Sequence, residues 1–170
     1  KSLFVFAFAL LSNLVFGQYS YNFAAQQFTS SPSTVTLGTA DWNLVAYKDA
    51  AFSVPLSFFS YTATGGQQFG STTALNNATS INLSTSSITG TISNVAVSSS
   101  TNSGSIDGSL IVKVGGVSYT GPTAVVNLGS SNATYNFTGS SSGLVEIIWT
   151  QPTSTKAIFL KQIDVTTGTI

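Results

Sequence analysis

Ser105 to Val165 reads SIDGSLIVKVGGVSYTGPTAVVNLGSSNATYNFTGSSSGLVEIIWTQPTSTKAIFLKQIDV. Short runs of alternating apolar residues are broken by Gly, Ser, Asn and Pro, the pattern of antiparallel strands joined by tight turns. Strand side chains repeat every two residues, so the runs also assign faces. In GSLIVKV, Leu110, Val112 and Val114 share one side, and Lys113 marks the opposite, wet side. Gly115-Gly116 supplies the positive φ angles of a two-residue hairpin, so VSY is expected to return antiparallel. In NATYNFTG, Ala133, Tyr135 and Phe137 oppose Thr134, Asn136 and Thr138. In GLVEIIWTQ, Val145, Ile147 and Trp149 are expected inside while Glu146 faces water. The last run, AIFLKQIDV, changes parity between Leu160 and Ile163, which predicts a bulge near Lys161-Gln162.

Working outward toward the N-terminus, the same rhythm predicts strands in QYSYNF, TVTLG, DWNLVAY, SINLS and ITGTISNVAV. The parity change between Ile92 and Val95 predicts a second bulge near Ser93-Asn94. Ala24 to Ser33 is expected to be a loop, as is the low-complexity tract from Ser98 to Ser105. Lys48 to Ser71 contains many aromatics without clean alternation, so it reads either as an excursion over one sheet or as a strand pair of undetermined register. In all, nine or ten strands are expected after the N-terminal segment. The fold class expected is all-β, with the strand spacing of an antiparallel sandwich or barrel over residues 18–165.

The segment KSLFVFAFALLSNLVFGQ has one cation, an apolar run from Leu3 to Leu11, and Gly17 at a favourable cleavage position. It reads as a helical secretory leader over residues 1–17. The break at Ser12-Asn13 leaves it short of the roughly 20 apolar residues a membrane span requires. No span is expected in the mature chain, and a secreted or cell-surface location is expected. Residues 166–170 read as the start of a linker, with further protein expected on both sides and a larger multidomain host.

Composition excludes several functions. Of 170 residues only 6% are charged, net charge is zero, and hydrophobic residues make up 42%. Five Lys and no Arg cannot form the clustered cations that neutralise phosphates, so nucleic acid is not an expected partner. There is no His and no Cys, which removes disulfides, Ser-His and Cys-His nucleophile pairs, and the commonest metal ligands. The five acidic residues show no spacing that pairs two carboxylates across a glycosidic bond. The chain is therefore not expected to be an enzyme.

The series DWNL, GQQFGS, ITGTISNVAV, SLIVKVGGVSY, ATYNFTGSSSGLVEIIWTQ and TSTKAIFLKQIDV resembles galactose-binding-like jelly-roll modules of secreted Bacteroidota proteins. Such modules often sit beside a catalytic domain or ahead of a type IX secretion sorting domain. The resemblance covers Tyr19 to Val165 and carries no fixed ligand residues to map here. It implies an antiparallel two-sheet sandwich of jelly-roll type and an accessory, non-catalytic role on an exported protein.

A carbohydrate site needs an accessible aromatic ring for the sugar's apolar face, with amides or carboxylates for its hydroxyls. Residues 42–69 supply Trp42, Tyr47, Phe58, Phe59, Tyr61 and Phe69, with Asp41, Asn43, Asp49 and Gln67 nearby. Trp42, Tyr47, Asp49, Tyr61 and Gln67 are the candidate ligand-binding residues. The partner would be a polysaccharide or cell-surface glycan. The competing reading of the aromatics is core packing, which would make the chain a structural spacer or adhesin domain without a small ligand. No cofactor is expected beyond a structural calcium, for which Asp41 and Asp107 are the candidate ligands in oxygen-rich loops. A turn Asp capping its own backbone is the favoured reading of both. The four Asn-X-Ser/Thr triplets, beginning at Asn77, Asn82, Asn132 and Asn136, carry little information in a chain this rich in those residues.

Overall fold

The computed structural model describes residues 17–49, 51–72, 76–102, 109–122, 128–151 and 156–168. The expected leader, apart from Gly17, lies outside these residues, as does Asp107. Among the described residues there is no helix, and so none long and apolar enough to cross a membrane.

Among the described residues, twelve strands form two six-stranded antiparallel sheets. The first sheet contains β1 (Gly17–Asn22), β4 (Phe59–Thr62), β5 (Gly66–Phe69), β7 (Ile92–Thr101), β10 (Ala133–Ser141) and β12 (Ile158–Thr167). Its order is β10-β7-β12-β5-β4, with β1 also paired to β12. The second contains β2 (Ser33–Leu37), β3 (Ala40–Tyr47), β6 (Ser80–Thr85), β8 (Ser109–Val114), β9 (Val117–Ser118) and β11 (Val145–Thr150), in the order β2-β3-β6-β11-β8-β9. From β5 to β8 and from β10 to β12 each successive strand crosses to the other sheet, so the layers are interlocked.

The alternation in sequence becomes the core. Leu110, Val112 and Val114 of β8 and Val145, Ile147 and Trp149 of β11 are fully buried. Facing them from the first sheet are Val95 and Val97 of β7 and Ile158, Leu160, Ile163 and Val165 of β12. Gly115 and Gly116, at φ 57° and 81°, make the expected hairpin turn between β8 and β9. Both bulges are present: the β12–β7 register slips between Leu160 and Gln162 and again between Thr166 and Thr167, opposite Ser93. Each keeps apolar residues on the inner face where strict alternation would turn them out.

Three expectations are corrected. Ser98 to Thr101 is not loop but the end of β7, with Ser99, Ser100 and Thr101 buried. Thr166 and Thr167 belong to β12, where Thr167 pairs with Gly17. The segment from Lys48 to Ser71 is both things at once: an excursion over residues 48–58, then the β4–β5 hairpin in which Phe59 opposes Phe69.

Ser99 explains why a serine-rich tract can be a core strand. The Trp149 indole Nε1–H is sealed between the sheets, and it donates to Ser99 Oγ at 3.2 Å. That hydroxyl in turn donates to the Phe159 carbonyl at 2.5 Å. Trp42 has the mirror arrangement: its Nε1–H donates to Tyr19 Oη at 2.9 Å, which donates to the Leu37 carbonyl at 2.9 Å. A buried donor left unpaired costs about 1–3 kcal/mol, so Ser99→Ala is expected to lower unfolding free energy in urea by that amount, with the sheets otherwise unchanged.

Burial pushes the Tyr19 phenol up to about 12, against the opposing effect of the indole that donates to it. The unfolded phenol releases its proton near pH 10, so unfolding is favoured as pH rises from 10 through 12. Stability measured by denaturant titration is expected to fall over that window, and to fall less steeply in Tyr19→Phe.

Candidate functional site

The candidate residues of the aromatic-rich segment separate into different surroundings. Trp42 is 0% exposed, so its ring is not available to a ligand. Gln67 is also fully buried and fully engaged. Its Oε1 accepts from the backbone N–H groups of Gln27 (2.8 Å) and Phe28 (2.9 Å), and its Nε2 donates to the carbonyls of Phe28 (3.1 Å) and Ser60 (3.2 Å). Gln67 therefore fastens the loop between β1 and β2 to the first sheet. Tyr61 is half-buried on edge strand β4, on the inner side shared with Gln67.

Tyr47 and Asp49 lie together at the end of β3. Asp49 Oδ1 accepts from Val54 N at 2.7 Å and Oδ2 from Ser53 Oγ at 2.7 Å. These bonds, led by the Val54 N–H, hold the Asp49 carboxyl below its usual range. The turn they close carries Phe52 at φ 53° and 54% exposed, its ring edge-on to Tyr47 at 5.9 Å. The result is an aromatic ledge at the end of β3. Asp49 spends its oxygens within its own turn, as a short polar side chain commonly does.

Asp41 is exposed on β3, where its Oδ1 accepts from Thr36 Oγ1 at 2.6 Å across the strand pair. Among the described residues no three acidic, His or Cys side chains gather as a metal site.

A concave site lies elsewhere, on the outer side of the first sheet. It is a cleft of about 430 Å³. Its aromatic element is Phe159 of β12. One wall is the turn between β4 and β5, with Thr62, Thr64 and Gly65; the other is Ser130, Ser131 and Asn132, before β10. Ser100, Thr101 and Asn102 join the walls.

Each part is held by an identifiable bond. Lys161 Nζ donates to the Ala63 carbonyl at 2.8 Å, fixing the first wall. Thr101 N donates to the Gly129 carbonyl at 2.8 Å, fixing the second. Asn102 Oδ1 accepts from Ala157 N at 2.8 Å, orienting its amide. Gly65 permits the ring's approach, because a Cβ there would stand 2.6 Å from Phe159 Cδ1.

Among the described residues no ionisable side chain lines the cleft. They offer an aromatic ring, two carboxamides and several hydroxyls, groups suited to a neutral, polyhydroxylated ligand. None of the five candidate residues lines it. Phe159 was missed because a strand residue of outward parity beside Lys161 gives no local sign of a cleft. The signal available was its opposite parity to Ile158 and Leu160.

No protein-family model matches the chain, and no curated protein matches it.

Breaking the Lys161 contact tests the wall. Lys161→Ala is expected to raise hydrogen exchange of the Gly65 amide while leaving that of β11 amides unchanged, as measured by NMR or mass spectrometry.

Proposed function

We propose that this chain is a secreted or cell-surface, non-catalytic accessory module that binds carbohydrate, with the cleft over Phe159 as its site. The observation that carries the reading is the lining itself: one aromatic ring among amides and hydroxyls, with no charged group among the described residues. Sugar rings present an apolar face that stacks on an aromatic and a rim of hydroxyls that pairs with amides. The resemblance to jelly-roll modules of exported Bacteroidota proteins supports the same role, with a larger host supplying any chemistry. The competing reading, a spacer or adhesin domain without a small ligand, draws support from the complete burial of Trp42 and Phe69. It gives no account of why the first sheet's outer side forms a walled, uncharged cleft.

Affinity electrophoresis through gels containing neutral polysaccharides tests the proposal. Retardation by at least one neutral glucan, xylan or mannan is expected. Phe159→Ala is expected to weaken binding about tenfold or more, equivalent to about 1.4 kcal/mol. Gly65→Ala, which pushes the ring aside, should act in the same direction, whereas Phe52→Ala on the opposite sheet should have no effect. Absence of retardation on every polysaccharide would favour the spacer. Binding that survives Phe159→Ala would move the site elsewhere.

A further inference from the structure

Resting on the carbohydrate reading above, we propose that the ligand is an extended, uncharged polysaccharide lying from the Phe159 cleft across the outer face of the first sheet, not a single sugar or chain tip.

The register supports this row by row. Phe159 stands beside Ser100 on one side and Gln68 on the other. The next row along the strands places Gln162 between Asn22 and Ser98, with Thr134 beyond. The third runs from Ser20 through Asp164 and Ala96 to Asn136, and the fourth from Gln18 through Thr166 and Asn94 to Thr138. Rows recur every second residue, about 6.7 Å apart, so four rows cover roughly 20 Å, longer than any one sugar ring.

Three properties set this face apart from an ordinary solvated sheet. First, it carries few charges: Asp164 is the only carboxylate in the four rows, where Ser20 Oγ donates to it at 2.5 Å and Gln162 Nε2 at 2.9 Å, and the Lys161 ammonium is turned to the Ala63 carbonyl. Surfaces kept wet for solubility are usually a quarter or more charged residues. Second, the described residues' five exposed large apolar side chains, Val45, Phe52, Val54, Val117 and Leu144, all belong to the second sheet or its loops. The first sheet's face therefore offers amides and hydroxyls with Phe159 as its aromatic anchor. Third, neighbouring polar groups are already paired in place, as Ser98 Oγ is with Thr134 Oγ1 at 2.6 Å. Such fixed groups lose little freedom when a ligand binds. The face is continuous with the cleft, and its predominance of amides and hydroxyls complements a neutral, hydroxyl-rich chain.

The test is isothermal titration with linear β-1,4-glucan, xylan and mannan oligosaccharides from disaccharide to hexasaccharide. For at least one series, affinity is expected to rise about tenfold or more with length before levelling off. The double variant Asn94→Ala/Asn136→Ala, altering exposed or half-exposed positions distant from the cleft, is expected to erase the gain with length while leaving disaccharide affinity unchanged. Phe159→Ala should weaken every length. Affinity independent of length, but still dependent on Phe159, would overturn the extended ligand and leave the carbohydrate reading standing. Binding at no length would overturn both. Equal urea midpoints for the double variant and the native chain would attribute any loss to contacts and not to folding.

Discussion

Two indole N–H groups sealed between the sheets impose the constraint around which this sandwich is built. Trp42 and Trp149 fill the interlayer space, and each carries a donor that must find an acceptor where water is excluded. Both are answered from the opposite sheet, one by a phenol and one by a serine hydroxyl, and both acceptors in turn donate a hydrogen bond to a backbone carbonyl. Apolar contact alone would let two flat layers slide past one another. Hydrogen bonds of fixed direction between them do not, because a shift strands the donor. Gln67 performs a third such task, with hydrogen bonds of 2.8 to 3.2 Å to Gln27, Phe28 and Ser60 tying a loop to the sheet.

Scarcity of charge gives the exterior its character. With 6% charged residues, the outer faces rely on hydroxyls and amides for hydration. The first sheet takes this to the point where its few charges are engaged by neighbours. The second carries the exposed apolar groups and the Tyr47–Phe52 ledge. The two exteriors of one small domain are thus chemically unlike, and the concave site falls on that of the first sheet.

Much of the architecture was legible because period-two alternation is a direct record of which side faces the core. The faces of Leu110 to Val114 and Val145 to Trp149, the Gly115-Gly116 turn and both bulges could be read residue by residue. Ser98 to Thr101 could not. A serine that accepts from a buried indole has the same letter as one in a solvent loop, and only the tertiary partner distinguishes them. The site was least legible. Trp42 and Gln67 looked like ligand groups and are structural, since their polar atoms are consumed by Tyr19 and by the backbone of Gln27, Phe28 and Ser60. The cleft is made by four segments distant in the chain, each unremarkable alone, and Phe159 gains its role only when β12 lies between β5 and β7.

The pairing of Gly17 with Thr167 has a topological corollary. Two points at opposite extremes of the described chain are cross-strand neighbours, so a short peptide could join them and new ends could be opened at the Gly115-Gly116 turn without parting either sheet. The same adjacency suits the domain to being spliced whole into a surface loop of another protein. Phe159 and Thr167 stand eight positions apart on β12, roughly 27 Å at strand rise, so such a graft would be anchored at the far end of that strand from the mouth of the cleft.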